Sequence, residues 1–400
     1  MIATFQPAVL AGTVDAPPSK SMAHRYLIGA ALSGQVCTLT GMAYSEDILA
    51  TIDCLRALGA TVTVNGDAVT VDPQGFMQVV HPVLNCRESG STLRFFIPLA
   101  LCLGQTVTLQ GSRRLLSRPL DVYEELFLRR GFAFTNSGEA VTLCGQLTGG
   151  TYRVRGDVSS QFITGLILAL VYLRQDATVE ILPPFASRPY VDLTLAALAD
   201  FGAKVAFTNP HTIRIQTAPL HAFNGRIEGD YSNGSFLDAF NCLGSHITIG
   251  NLNPQSLQGD RVYTTYYAQI CAGTPTLDIG DCPDLGPILF ALAALKNGAT
   301  FTGTNRLKDK ESDRAAAMDA ELRKLGGGLI LGDDTVFVPP QELRYGGEAL
   351  DGHNDHRIVM ALSVILSAIG GSIHGAEAVC KSYPAFFDEI KRLGAKVEFV

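Results

Sequence analysis

The 400-residue chain contains no tryptophan, no Cys-x-x-Cys pair among its nine cysteines, and no surplus of positive charge. Lacking paired cysteines, it offers no zinc ribbon and no dithiol redox motif; an odd count also leaves at least one thiol unpaired. Buried, reduced cysteines of a cytoplasmic protein are the expectation. Thirty-one Lys and Arg against 38 Asp and Glu give a formal net charge of −7. That balance argues against nucleic acid as a partner, because a basic surface supplies most of that affinity. Ile163–Leu173 is among the longest apolar runs and is too short to span a bilayer, so no membrane association is expected. The start, Met-Ile-Ala-Thr-Phe-Gln-Pro, has no basic segment leading into an apolar one and does not read as a signal peptide. Asp278, Asp281 and Asp284 recur at short spacing without a histidine, and His353 and His356 flank a turn-like Gly-His-Asn sequence. Neither set makes a convincing metal site, and no metal or cofactor is expected.

What is present is a well-buried composition, 47% hydrophobic with forty glycines. The length exceeds what one core usually serves and points to two domains. A unit recurs along the chain: an amphipathic helix ending in Leu-Gly-Ala or a variant, then a short β-type run. Its glycines stand at 59, 131, 202, 273, 326 and 394, separated by 72, 71, 71, 53 and 68 residues. Each suits the position just past a helix end, where φ is positive. Several copies close with a polar turn and a further strand, as in Val64-Asn65-Gly66-Asp67-Ala68-Val69. Six copies divide into three and three, with a seam near Asn224–Asp230.

The unusual residues gather where helices begin. Pro17-Pro18-Ser19-Lys20-Ser21 runs into a small, apolar stretch carrying Arg25. Ser19 suits an N-cap, and Lys20 at a first turn opposes the helix dipole unless an anion binds there; a lysine snorkelling at a helix end is the plainer alternative. Glu88-Ser89-Gly90-Ser91-Thr92 precedes a helix with Arg94, either as an ordinary hydroxyl cap or as bare N–H groups for a phosphate. Arg118-Pro119 and Ser187-Arg188-Pro189-Tyr190 each set an arginine before a proline. Ser159-Ser160-Gln161 offers neutral polar groups suited to a hydroxylated ring. Asp284 reads either as an N-cap or as a general base. Lys310-Glu311-Ser312-Asp313-Arg314 opens another helix, with Glu311 and Arg314 on one face. Asp355-His356-Arg357 and Cys380-Lys381-Ser382 complete the series as further helix starts. Several such cations converging would hold a multiply anionic ligand, each charge-assisted hydrogen bond contributing about 1.5–3 kcal/mol.

Ser19-Lys20-Ser21-x-x-x-Arg25, Ser159-Ser160-Gln161-Phe162, Lys310-Glu311-Ser312-Asp313-Arg314 and Asp355-His356-Arg357 together resemble the enolpyruvyl transferases over essentially the whole chain. Within that family the chain resembles the branch that acts on shikimate 3-phosphate. The resemblance implies an α/β (α+β) fold of two similar domains, each of three βαβαββ units in an inside-out α/β barrel, with ligands in the interdomain cleft. The expected lobes are residues 15–226 and residues 1–14 with 227–400, each holding three units. The implied reaction moves the enolpyruvyl group of phosphoenolpyruvate to the 5-hydroxyl of shikimate 3-phosphate, releasing phosphate through a tetrahedral intermediate. By the same resemblance Asp284, Glu311 and Lys20 are catalytic. Lys20, Ser21, Arg25, Ser159, Ser160, Gln161, Ser187, Tyr190, Asp284, Arg306 and Lys310 would face shikimate 3-phosphate. Lys20, Gly90, Arg118, Gln161, Arg314, Arg357 and Lys381 would face phosphoenolpyruvate. Asn305 lies beside Arg306 and could take its place if the register shifts by one. The partners implied are these two small anions, and the protein is expected to act as a monomer. A sister branch loading UDP-linked aminosugars carries a cysteine five residues before the arginine–proline pair; Arg113 stands there instead.

Overall fold

The computed structural model describes residues 1–400. The chain forms two compact units, Pro18–Glu228 and Met1–Pro17 with Gly229–Val400. It passes from one to the other at Pro17/Pro18 and again at Glu228/Gly229.

In the Pro18–Glu228 unit, the helices Lys20–Ser33, Gly90–Ala100 and Ser160–Leu173 are buried on nearly every side. They carry small and apolar residues all round, which is what a helix without a solvent face requires. Ser160–Leu173 packs on both of the others. Gly165 permits one of these approaches: a Cβ there would stand 2.3 Å from the Arg94 carbonyl oxygen and 2.5 Å from the Tyr123 hydroxyl. The helices Glu46–Ala57, Asp121–Leu128 and Arg188–Asp200 bury one face each and leave the other to water.

The other unit repeats this plan. Its buried helices are Tyr231–Cys242, Gly286–Leu295 and His356–Ile369, which pack on one another.

Three of the five four-stranded sheets are built from consecutive chain, two parallel strands flanking a buried helix and then an antiparallel hairpin returning beside the second strand, and the other two keep the same strand order. Alternating burial along the strands, as in Thr212–Gln216, puts one sheet face on the core. Two sheets borrow a strand from far along the chain. Gly225–Arg226 supplies the first strand beside Cys37–Thr40, and Ile2–Gln6 sits between Gly371–His374 and Lys396–Phe399.

Glycines 59, 131, 202, 326 and 394 end their helices with φ of 95°, 75°, 83°, 83° and 110°. Gly273 departs from the expected pattern: its φ is 178°, extended backbone. The fourth sheet has only two strands, His246–Gly250 beside Ala11–Asp15, and no hairpin comes after Gly273. That missing hairpin accounts for the short 53-residue spacing before Gly326. No helix is long and apolar enough to cross a membrane.

Candidate active site

In the Pro18–Glu228 unit, Ser19 caps the helix Lys20–Ser33, its hydroxyl accepting the Met22 N–H at 3.5 Å. The Lys20 ammonium reaches 2.9 Å to the Asp47 carboxylate, with only 15% and 11% of the two side chains exposed. Asp47 lies in the first turn of Glu46–Ala57, and it has no counterpart among the residues expected from the sequence. The Ser45-Glu46-Asp47 capping sequence is the available signal, but such caps are common and the pairing spans 27 residues.

Arg25 is 3% exposed and most of its donors are already committed. Nε donates to Thr194 Oγ1 at 2.8 Å, Nη1 to the Ser21 carbonyl at 2.6 Å and Nη2 to the Tyr190 carbonyl at 2.8 Å. Burial draws its pKa down to about 10. Arg25 therefore ties the Lys20 helix to Arg188–Asp200, the helix that starts beside buried Ser187.

Gly90 begins its helix behind the Ser89 cap and lies against Arg118: a Cβ would meet the guanidinium Nη1 at 2.7 Å. Gln161, in the first turn behind the Ser159 cap, has a fixed amide. Its oxygen accepts from Arg94 Nη1 at 2.7 Å and its nitrogen donates to Ser91 at 2.9 Å. Ser160 starts the same helix and is 4% exposed. The Gly90 helix thereby gathers Lys20 (through Asp47), Arg118 and Gln161.

In the other unit, Asp284 is the hub. It does not cap the helix after it, whose N-cap position is Leu285 without a side-chain bond. Its Oδ1 lies 2.8 Å from Arg314 and 3.3 Å from Lys310, and its Oδ2 lies 3.0 Å from Arg357. Arg314, 1% exposed, also meets Glu311 at 2.8 Å and Asp355 at 2.9 Å. Burial opposes its charge, but Asp355, Glu311 and Asp284 more than offset that and hold its pKa above the usual value. Asp355 is wholly buried and caps His356–Ile369 through the Arg357 N–H at 2.9 Å; Arg314 outweighs the cost of burial and keeps its carboxyl below the ordinary range. For Lys310, burial dominates over the attraction of Asp284 and pulls the ammonium down to about 8.

Arg357 further donates to Ser232 Oγ at 2.6 Å, and Ser232 in turn bonds the buried Asp260. Burial first, and Asp284 second, push Asp260 up to about 6. Neither Ser232 nor Asp260 is expected from the sequence: both sit in the fourth repeat, the most weakly patterned of the six.

Two expectations need correction. Glu311 precedes the helix, which runs Arg314–Lys324 behind the Asp313 cap, so its pair with Arg314 bridges a loop and not a helical face. Lys381 ends the short 3₁₀ segment Ala376–Lys381 and does not start a helix; it donates to the Asn354 carbonyl at 2.7 Å. Arg306 stands in the 3₁₀ turn Asn305–Asp309, donating to the Gly280 carbonyl at 3.1 Å and close enough to Lys310 to oppose its charge. No three His, Cys, Asp or Glu side chains are grouped as metal ligands.

This repeated architecture, with polar clusters at the helix starts, defines the enolpyruvyl-transferase class of folds. The chain superposes on an EPSP synthase structure from Acinetobacter baumannii with a TM-score of 0.77, at 21% identity and full coverage of both chains. It superposes on the enolpyruvyl transferase NikO from Streptomyces tendae with a TM-score of 0.74, at 15% identity, covering 99% and 98% of the two chains. The sequence narrows the class. The family model for EPSP synthase (3-phosphoshikimate 1-carboxyvinyltransferase) matches residues 5–390. A 3-phosphoshikimate 1-carboxyvinyltransferase of Clostridium kluyveri is 37% identical over 99% of this chain and 98% of its own; one of Clostridioides difficile is 34% identical over 98% and 97%. The chain belongs to the EPSP synthase family.

Proposed function

We propose that this chain transfers the carboxyvinyl group of phosphoenolpyruvate to the 5-hydroxyl of shikimate 3-phosphate, releasing inorganic phosphate, with the polar clusters of both units acting on the same two substrates. The observation that carries the chemistry is the Asp284 carboxylate ringed by Arg314, Arg357 and Lys310. Both of its oxygens are engaged by these three cations, so it is not free to act as a base. A substrate phosphate or carboxylate competing for Arg314 and Arg357 would release it to act as one, so that the base is activated when the substrates are bound.

In this reading Asp284 takes the proton of the 5-hydroxyl, and Glu311, which must first gain a proton as a substrate anion draws Arg314 away from it, supplies one to the methylene carbon. Protonation makes C2 electrophilic, the hydroxyl oxygen adds, and the tetrahedral adduct expels phosphate as a methyl proton returns to Glu311 and Asp284 passes the hydroxyl proton to the leaving phosphate. Lys20, Gly90, Arg118, Gln161, Arg314, Arg357 and Lys381 hold phosphoenolpyruvate. Lys20, Ser21, Arg25, Ser159, Ser160, Gln161, Ser187, Tyr190, Arg306 and Lys310 hold shikimate 3-phosphate. The direct test is phosphate release from phosphoenolpyruvate. It should require shikimate 3-phosphate; release without it, or only with a UDP-aminosugar acceptor, sinks the assignment.

The geometry implies two further outcomes. Gly90→Ala places its new methyl against Arg118 Nη1, which must swing away while the backbone stays put. KM for phosphoenolpyruvate should rise by about tenfold or more, with melting temperature unchanged. Lys310, titrating near 8, should impose a fall in kcat/KM for shikimate 3-phosphate above about pH 8. Lys310→Arg, charged throughout, should move that fall out of range; an unmoved limb would assign it to another group.

A further inference from the structure

Beneath the start of the Gly90 helix, four polar side chains are enclosed in the core: His24 is 1% exposed, and Thr51, Ser89 and Thr92 are each 0% exposed. They form one continuous chain. His24 Nδ1 lies 2.7 Å from Thr51 Oγ1, which lies 2.8 Å from Thr92 Oγ1, which lies 2.8 Å from Ser89 Oγ. Thr92 also reaches the Asp47 carbonyl at 3.4 Å, and its N–H donates to Ser89 Oγ at 3.2 Å. The members come from three helix starts: His24 lies one turn past Lys20, Thr51 one turn past Asp47, and Ser89 and Thr92 flank Gly90. The Lys20–Asp47 ion pair closes the circuit on its other side.

An apolar core at this junction would be simpler to build, since every buried polar group must find a partner. What apolar packing does not supply is direction. Hydrogen bonds at 2.7–2.8 Å fix the rotation of three helices about their own axes, and so fix where Lys20, Asp47 and Gly90 point. Burial, then the neighbouring charges of Lys20 and Arg25, hold His24 well below its ordinary pKa, so the imidazole stays neutral; its Nδ1 bonds Thr51, and its buried Nε2 has no hydrogen-bond partner.

We propose that His24, Thr51 and Thr92 are positioning residues for phosphoenolpyruvate: they act through the Lys20–Asp47 pair and the Gly90 helix start without touching the substrate. This rests on the reading of Lys20 and Gly90 given above. A second network is separate from it. Arg25, Thr164 and Thr194 are joined at 2.8–3.5 Å and bind the Lys20 helix to the Ser160 and Arg188 helices, and the starts of these three helices together carry most groups assigned to shikimate 3-phosphate. The two networks therefore predict opposite kinetic signatures.

The test compares Thr51→Val, which keeps shape and removes the hydroxyl, with Thr51→Ser and Thr194→Val by phosphate-release kinetics. Thr51→Val should raise KM for phosphoenolpyruvate by about tenfold and KM for shikimate 3-phosphate, which shares Lys20 but not the Gly90 helix start, by no more than about threefold. Thr51→Ser should restore the wild-type value, and Thr194→Val should shift the other KM preferentially. Parallel changes in both constants, an unchanged phosphoenolpyruvate KM, or failure of serine to rescue would overturn the proposal. Should Thr51→Val not fold, Thr92→Val breaks the same chain and is read the same way. Lys20→Met separates the two levels of inference. If it leaves the phosphoenolpyruvate KM unchanged, the assignment of Lys20 falls along with the proposal. If it raises that KM while Thr51→Val does not, only the positioning role falls.

Discussion

Asp284→Asn is expected to lower kcat for phosphate release by about 10²–10⁴ without raising either KM. Asparagine keeps the size of the side chain and one acceptor oxygen, so the loop Pro283–Leu285 retains its packing. It removes the negative charge that Arg314, Arg357 and Lys310 share. Those cations then meet incoming anions without Asp284 competing, although Arg314 keeps Glu311 and Asp355, and substrate affinity should hold or improve. On the proposed mechanism, what is lost is the acceptor for the hydroxyl proton, which affects the chemical step alone. Rapid-quench measurement of phosphate release, set beside equilibrium binding of each substrate, separates the two. Undiminished release in this variant would remove Asp284 from the chemistry.

Arg314→Met has the largest expected effect on stability. The guanidinium is 1% exposed and joins Asp284, Glu311 and Asp355. Methionine fills much of the volume but leaves three acids facing one another, one of them wholly buried. Leaving buried charges without their partner costs about 3–5 kcal/mol. In a unit of this size that lowers the melting temperature by roughly 6–20 °C, and the loss should shrink at acidic pH. The sign comes from Asp355: its folded pKa is depressed by Arg314 in the wild type, so the stability it contributes is present above the unfolded carboxyl pKa and lost as pH falls through the folded one. Removing Arg314 removes that contribution, so wild type and variant converge as the pH drops. Calorimetry at neutral and acidic pH decides it; equal melting temperatures at neutral pH would mean the cluster adds nothing to folding.

Helix starts were legible in the sequence because capping is local chemistry. Ser19, Ser89, Ser159, Asp313 and Asp355 each accept an N–H two or three residues on. The repeats were legible because a helix that ends in positive φ selects glycine, and Gly59, Gly131, Gly202, Gly326 and Gly394 obey. Gly273 misled because a glycine in a helix-ending sequence says nothing of whether a hairpin comes next. The partners of the charged residues were the least visible part. Lys20 finds Asp47 and Arg357 finds Ser232, 125 positions away, by tertiary packing that leaves no periodic trace. The acids that neutralise a cluster of cations are scattered along the chain, and only the fold says which of them are near.

The strands Ile2–Gln6 and Ala11–Asp15 carry a consequence for synthesis. Their partners are Gly371–His374, Lys396–Phe399 and His246–Gly250, all made after the whole Pro18–Glu228 unit. That unit is continuous and can condense while the ribosome is still adding the later residues. The leading segment meanwhile has exposed strand edges and nothing to pair with. The strands Ile2–Gln6 and Ala11–Asp15 therefore cannot pair until the residues after Glu228 have been made.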